Sequence, residues 1–258
     1  MKKYLFIVLC FVAALTSCNK HEFRTEQIKY NKTYIAENGS DSLVIAIDIE
    51  YPVDMENESA LVAIQTDLLK ILLDNEVNPN DGEKAIREYA QKFEEGYKKE
   101  YRPELSNDLC LFCWENYING KVISVQNNIL TYCDERYVFL GGPHGNNQRH
   151  FYNYDMQSGK CLTETDFFVE GFEKELTQLL VSNMIEEIDE FESIRDLNES
   201  PYDMDEIKPN HNFYFTDKEL IYVFNPYEIG PYYLGETEVS IPLSQVESLL
   251  RAEYKAAE

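Results

Sequence analysis

Two histidines and an aspartate near the middle of the chain could bind a metal ion. Five residues separate His144 from His150, and Asp155 follows at the fifth position after that. This H-x5-H spacing is neither the i, i+4 pair of a helix nor a tight zinc knuckle. His144 also lies among glycines, where a histidine ring can hold a turn by hydrogen bonding. We therefore expect a structural His144, and neither a metal ion nor another cofactor.

Cys110 and Cys113 have the C-x-x-C spacing of redox-active thiols. They lie in a predicted strand, where residues three apart point to opposite faces, whereas a thioredoxin-type motif opens a helix. Cys133 and Cys161 bring the cysteines of the body of the chain to an even number. In an oxidising compartment two disulfides could form, in any of three pairings, and otherwise all these residues are buried thiols. Both alternatives stay open.

Paired acids on a predicted helix have the residue types that glycoside hydrolysis uses. Glu186-Glu187 and Asp189-Glu190 fit the solvated face of that helix better, and neither a nucleophile–base arrangement nor a Gly-x-Ser-x-Gly motif accompanies them. We therefore expect no catalytic residues. Residues 164–206, which we call the acidic segment, contain fifteen acidic residues and two basic ones. The segment is a solvated surface or a landing surface for a cationic protein, with these paired acids as candidate ligand-binding residues.

Aromatic residues concentrate near the C-terminus, where eight of the residues from 213 to 233 are Phe or Tyr. Most fit the core of a predicted hairpin. Tyr227, Tyr232 and Tyr233 instead lie in a loop rich in Pro and Gly, where their rings could bind a sugar or a protein. A second loop, at 141–145 (GGPHG), is followed by neither a helix start nor a Lys-Ser/Thr pair. Its glycines therefore predict a tight turn with positive φ and not a phosphate cradle.

The N-terminus has the layout of a lipoprotein signal peptide. Two lysines precede an apolar run from Tyr4 to Leu15, which is shorter than the roughly 20 residues of a membrane-spanning helix. The next residues, Leu15-Thr16-Ser17-Cys18, resemble the bacterial lipoprotein box, in which the cysteine receives acyl chains such as palmitate after cleavage. We expect residues 1–17 to be a signal peptide and residues 18–27 a lipidated tether. The alternative is an ordinary secretory signal.

The charge of the chain limits its partners. Removal of residues 1–17 takes away two lysines and changes the formal net charge from −24 to −26. So acidic a chain has little from which to build the basic face that nucleic-acid binding needs. Asn19 stands where an inner-membrane retention signal would have Asp, which favours the outer membrane over the inner. We expect a cell-envelope protein that meets the membrane through its lipid and binds no nucleic acid.

Sequence periodicity places helices between groups of strands. Strands are predicted at 28–35, 43–51, 109–118, 122–131, 150–154, 212–216 and 220–224, with an Asn119-Gly120 hairpin turn. Helices are predicted at 57–73, from a capping box of Asn80 and Glu83 to Tyr101, and at 170–191. This order predicts an α+β fold with mostly antiparallel sheets and helices packed on one face. The weakest division falls near 103–108, between regions 28–105 and 106–258, so the body is one domain or two halves that share a sheet.

Two blocks of the sequence resemble a known family. One contains residues 141–146, 151–155 and 158–160, and the other contains residues 213–216, 223–232 (VFNPYEIGPY) and 239–243. They resemble an extracytoplasmic family of unknown function that occurs in the anti-sigma factor RsiV and, ahead of the catalytic domain, in the peptidoglycan deacetylase PdaC. The motif residues with an expected structural role are Gly141, Gly142, His144, Gly145, Asp155, Pro226 and Glu228.

The resemblance implies an α+β binding module located in the cell envelope. The sequence lacks the sigma-binding segment and the deacetylase domain of those relatives, so we do not expect their signalling or catalytic activities. We expect a lipid-anchored, non-enzymatic protein that binds a protein or a cell-wall ligand such as peptidoglycan. Lysozyme, which the anti-sigma member recognises, is the candidate cationic protein. The alternatives are an enzyme that acts on peptidoglycan or another glycan, an accessory to such an enzyme, and a structural envelope protein.

We predict that Cys18→Ala abolishes membrane association, because the acyl chains on this cysteine are the expected anchor and each buried CH₂ contributes about 0.8 kcal/mol. Cell fractionation with metabolic lipid labelling measures this. Cys10→Ala, inside the apolar run, is the matched control and should leave both labelling and membrane association intact. A wild-type protein that sediments with membranes without acquiring label would contradict the prediction.

Overall fold

The computed structural model describes residues 23–37, 39–73, 81–102, 112–188 and 191–255. Its largest element is a six-stranded sheet in the order β1-β2-β3-β4-β5-β6. Neighbouring strands are antiparallel except for β2 and β3, which are parallel. The strands are β1 (Arg24–Ile35), β2 (Ser42–Asp54), β3 (Cys113–Gln126), β4 (Ile129–Leu140), β5 (Asn146–Asp155) and β6 (Cys161–Leu162).

Two helices, α1 (Glu58–Leu73) and α2 (Gly82–Glu100), lie between β2 and β3 in the chain. They provide the crossover that a parallel strand pair requires. Alternate residues of β2 are buried, as expected for a strand with one face toward a core. The core that β2 shares with the two helices includes Leu43, Ile45, Ile47, Ile49, Leu61, Ile64, Leu68, Leu72, Ile86 and Ala90.

A smaller antiparallel sheet contains β7 (Phe213–Phe215), β8 (Glu219–Phe224) and β9 (Thr237–Pro242). One of its faces packs Ile221 and Val223 against Cys133 and Phe151 of the large sheet. Its other face packs against α4 (Glu173–Glu187) in a second core. Each sheet thus has helices on one face, and the predicted α+β architecture is confirmed. The remaining helices are α3 (Glu164–Phe167), α5 (Ile194–Glu199), α6 (Leu243–Val246) and two 3₁₀ turns (Tyr232–Leu234 and Ala252–Tyr254).

The predicted hairpin turn at Asn119-Gly120 is wrong, because β3 runs straight through both residues. The turn lies at Asn127 and Asn128, whose φ angles of 48° and 65° suit the tight turn that joins β3 to β4. Gly120 serves a packing purpose instead, since a Cβ atom there would collide with the hydroxyl group of Tyr132 on the neighbouring strand. A glycine in a strand can therefore mark close packing as well as a turn.

The predicted start of the second helix also needs correction. Asp81 is the N-cap of α2, and its side chain accepts a hydrogen bond from the Lys84 N–H at 3.0 Å. Asn80, the expected cap, lies outside the described residues. The two regions divided near residue 105 share one sheet, because β2 pairs with β3 across that division. Among the described helices, none is long and apolar enough to cross a membrane.

The side chains of buried asparagines join the two sheets by hydrogen bonding to the main chain of β5. Strand β6 covers β5 only at Asn153 and Tyr154. Further along this edge, the side-chain oxygens of Asn225 and Asn212 accept the N–H groups of Arg149 (2.7 Å) and Phe151 (2.9 Å). Their amide nitrogens donate to the Arg149 carbonyl at 3.1 and 2.8 Å. These side chains thus replace the hydrogen bonds that a further strand would make, because buried backbone N–H and C=O groups need partners.

We predict that Asn212→Ala lowers the free energy of unfolding by about 2 kcal/mol, because it leaves the buried Phe151 N–H without its acceptor. Urea denaturation measures the change. Asn147→Ala is the matched control, since Asn147 lies on β5 like Phe151 but has an exposed side chain. We expect this variant to change the free energy of unfolding by less than about 0.5 kcal/mol. Equal stability of the two variants would show that the asparagine contacts do not hold the sheets together.

Candidate functional site

The glycine-rich loop before β5 meets the loop between β8 and β9. The ring of His144 stacks on the ring of Tyr232 with centroids 3.8 Å apart and an interplanar angle of 16°. The Tyr232 hydroxyl donates to the Gly145 carbonyl at 2.8 Å, and the same carbonyl lies 2.9 Å from His144 Nδ1. The turn-holding role predicted for His144 thus involves a partner from a distant part of the sequence.

Tyr227 completes a three-ring group with His144 and Tyr232. Its ring centroid is 5.4 Å from that of Tyr232, and its hydroxyl lies 3.4 Å from His144 Nε2. Tyr227 is 60% exposed although two rings flank it. We call His144, Tyr227 and Tyr232 the aromatic surface. Tyr233, the third predicted member of the platform, is adjacent in sequence and 73% exposed.

Tyr227 has a φ of 76°, a left-handed conformation that bulky side chains rarely adopt. Such backbone strain costs on the order of 1–3 kcal/mol and tends to occur at functional sites. Glu228 stabilises the turn, because its carboxylate accepts the Asn225 N–H at 3.1 Å while its own N–H donates to the Asn225 carbonyl at 3.0 Å. Pro226 and Tyr227 lie between these two residues, so Pro226 and Glu228 form the turn that presents the Tyr227 ring.

The glycines of the other loop have two different roles. Gly141 and Gly142 have φ angles of 82° and 115°, so the predicted positive-φ turn is present there. Gly145 is not in this conformation. A Cβ atom on Gly145 would collide with the ring of Tyr137, so close packing requires this glycine. The Tyr137 ring on β4 also packs against the Tyr117 ring on β3, with centroids 5.9 Å apart.

The histidine and aspartate residues weighed as a metal site have separate partners. Asp155 accepts hydrogen bonds from the N–H of Gln157 and the hydroxyl of Ser158. Partial burial by itself would raise the pKa of the Asp155 carboxyl. The hydrogen bonds outweigh this effect and hold the pKa below its usual value. Burial lowers the pKa of His150, whose Nε2 lies 3.4 Å from Asn225 Nδ2. The described part of the chain contains no group of three or more metal-ligating side chains.

The candidate acids of the acidic segment differ in their surroundings. Glu186 is exposed on α4. The Glu187 carboxylate accepts the Ser240 N–H at 3.0 and 3.2 Å, which ties α4 to the edge of β9. Burial raises the pKa of Glu187 despite these bonds. Asp189 and Glu190 lie outside the described residues.

Among the residues that the structure describes, one cysteine is disulfide-bonded and two are free thiols. Cys113 is disulfide-bonded, and Cys110 lies outside the described residues. Cys133 and Cys161 are free, so the alternative of two disulfides does not hold for them. Burial raises the pKa of Cys133 to about 12 and that of Cys161 to about 11. Both thiols are therefore protonated near neutral pH and poorly nucleophilic.

A contact between His211 and Glu164 was not predicted from the sequence. Glu164 is 1% exposed and accepts hydrogen bonds from the backbone N–H of His211 (2.8 Å), from its ring Nδ1, and from the Tyr222 hydroxyl (3.4 Å). His211 has a φ of 64°. The only local signal was the Pro-Asn-His-Asn sequence around His211, which is typical of a turn.

The chain is similar to proteins of a family with no assigned function. Residues 165–244 match the family described as "Protein of unknown function (DUF3298)". The anti-sigma-V factor RsiV of Bacillus subtilis (strain 168) is 22% identical over 205 residues, which cover 77% of this chain and 68% of RsiV. The range that matches the family, residues 165–244, includes Tyr227 and Tyr232, whereas the glycine-rich loop precedes this range.

Two solved structures have the same fold. A DUF3298 family member from Bacteroides fragilis has a TM-score of 0.79 at 20% identity, covering 90% of this chain and 95% of that one. A DUF3298 protein from Pseudomonas aeruginosa PAO1 has a TM-score of 0.65 at 17% identity, covering 92% and 98%. The resemblance identified in the sequence is therefore confirmed: residues 165–244 match the DUF3298 family, and the chain has the fold of solved DUF3298 proteins and is homologous to RsiV.

Proposed function

We propose that this protein is anchored to the outer membrane through a lipid on Cys18 and binds a protein ligand through its aromatic surface, without catalysing a reaction. Homology to RsiV supports an extracytoplasmic sensing or binding module. A cationic protein of the lysozyme type is the ligand class that the charge of the chain favours, since 47 acidic residues stand against 23 basic ones.

The observation that carries this proposal is the exposure of Tyr227 in a strained conformation. A strained residue persists only where the surrounding structure holds it, and the turn at Asn225–Glu228 does so. The strain brings no burial in return, because the ring remains 60% exposed. Tyrosines held in this way are effective interface anchors, since little side-chain freedom is lost when a partner covers them.

The surroundings of His144 support binding rather than acid–base chemistry. Its Nδ1 faces the Gly145 carbonyl and its Nε2 faces the Tyr227 hydroxyl. A general base of the Ser–His–Asp type would instead have its imidazole oriented by a carboxylate. The rings of the aromatic surface and the hydroxyl groups of its tyrosines are suited to packing against a protein surface.

We predict that Tyr227→Gly weakens lysozyme binding by about 30-fold or more, mainly through faster dissociation, because it removes a central aromatic anchor. The free energy of unfolding should stay within about 1 kcal/mol of wild type, because relief of the left-handed strain offsets the lost ring contact. Surface plasmon resonance and urea denaturation of the chain from residue 19 measure the two quantities.

Tyr34→Ala is the matched control, since Tyr34 is a 45% exposed tyrosine on β1, and it should leave binding unchanged. Wild-type dissociation rates in both Tyr227→Gly and Tyr232→Ala would show that lysozyme does not bind at the aromatic surface. Failure of the wild-type chain to bind lysozyme even at low salt would remove this ligand. Binding of soluble peptidoglycan fragments in the same assay would then point to a cell-wall ligand instead.

We also predict that the acidic segment steers association. Changing the exposed residues Glu170, Glu175 and Glu186 to Gln should slow association with lysozyme and flatten its salt dependence, while leaving dissociation nearly unchanged. Glu187 stays intact because it holds Ser240.

The control for this prediction has equal charge. Glu26, Glu56 and Glu100 are exposed residues of the other region, and their triple change to Gln alters the net charge by the same amount. Association rates measured at two salt concentrations separate local steering from net charge. Equal slowing in both triple variants would mean that the acidic segment has no special role.

A further inference from the structure

A second concave site lies away from the aromatic surface, between α3, the start of α4 and the loop that leads into β7. Its volume is about 510 Å³, which is within the usual range for small-molecule sites. The lining is mainly apolar and includes the ring of Phe172, Thr177 and Pro209. Glu164 and His211 also line the pocket.

His211 is held in this pocket by two constraints. Its φ of 64° is disfavoured for a residue with a side chain, and it aligns the backbone N–H with the Glu164 carboxylate at 2.8 Å. The ring Nδ1 contacts the other oxygen of the same carboxylate. Because a carboxylate only accepts hydrogen bonds, Nδ1 is the ring nitrogen that donates to Glu164. The side chain of His211 is 71% exposed, whereas that of Glu164 is 1% exposed.

Two lysines line this pocket in an otherwise acidic chain. Lys174 and Lys208 both line it, and Lys174 is one of only two basic residues in the acidic segment. Lys208 forms an ion pair with Glu206 at 3.0 Å, but both side chains are about half exposed, so the pair is weak and solvated. Glu173 is the exposed acid of the lining, while the Glu164 carboxylate is already occupied by its own donors.

We propose that this pocket binds a small amphipathic carboxylate of the fatty-acid type. The apolar lining stabilises only a ligand with a hydrocarbon part, and the two lysines provide charge-assisted contacts for one anionic group. A ligand with several negative charges would be repelled by a chain of net charge −24, and a monoanion much less so. The pocket is independent of the aromatic surface and of its ligand.

Isothermal titration calorimetry with dodecanoate and its uncharged analogue dodecanol tests this assignment, on the chain from residue 19, which contains every residue that the structure describes. We expect both probes to bind below their aggregation concentrations, with dodecanoate the tighter. The double variant Lys174→Gln/Lys208→Gln should weaken dodecanoate about tenfold, as expected for loss of a charged contact, and change dodecanol by less than about twofold.

Two further variants keep the result interpretable. Lys70→Gln/Lys84→Gln, on α1 and α2, removes the same charge elsewhere and should leave both affinities unchanged. Thr177→Phe fills the pocket and should abolish binding of both probes, with folding checked by thermal melting. Absence of binding by both probes, or equal dodecanoate affinity in wild type and the Lys174→Gln/Lys208→Gln variant, would overturn the proposal.

Discussion

The arrangement of this protein depends on how the outer edge of β5 satisfies its main-chain polar groups. A strand edge placed in a protein interior must find partners for its N–H and C=O groups. Here Asn212, just before β7, and Asn225, just after β8, supply them in the same alternating pattern that a further strand would use. Because amide side chains make these bonds, the small sheet packs across the edge and face of the large one without extending it.

The same contacts position the aromatic surface. Asn225 binds Arg149 of β5 through its side chain and Glu228 through its backbone N–H. The glycine-rich loop leads into β5, and the turn with Tyr227 follows β8 directly. One asparagine therefore links both loops, and the stack of His144 on Tyr232 lies between them. A rigid connection of this kind keeps exposed rings ordered before any ligand arrives, which reduces the entropy lost on binding.

Left-handed backbone conformations occur at both candidate sites. Tyr227 at the aromatic surface and His211 at the pocket have positive φ angles, and each is held by a neighbouring carboxylate, Glu228 or Glu164. The other described non-glycine residues with positive φ are Asn127 and Asn128, in a tight turn where such angles are ordinary. Among the described non-glycine residues, strained positive φ angles thus occur at the two places where side chains face solvent or a pocket.

Local patterns in the sequence were sufficient for much of the secondary structure. Alternation in β2 and the apolar stripe of α1 predicted their buried faces, because burial on one face imposes a period on the sequence. Tyr227 and Tyr233 were recognised as exposed candidates, because Pro and Gly around them indicate a loop.

Tertiary structure alone decided the rest, since the deciding contacts join residues far apart in the chain. The Asn119-Gly120 pair has the local signature of a turn, but pairing of β3 with both neighbours and packing against Tyr132 keep it in a strand. The partners of His144 and Asn225 likewise come from other segments, about 75 to 90 residues away. Such partners leave no periodic trace in the sequence, because one polar side chain satisfies one specific group rather than a whole face.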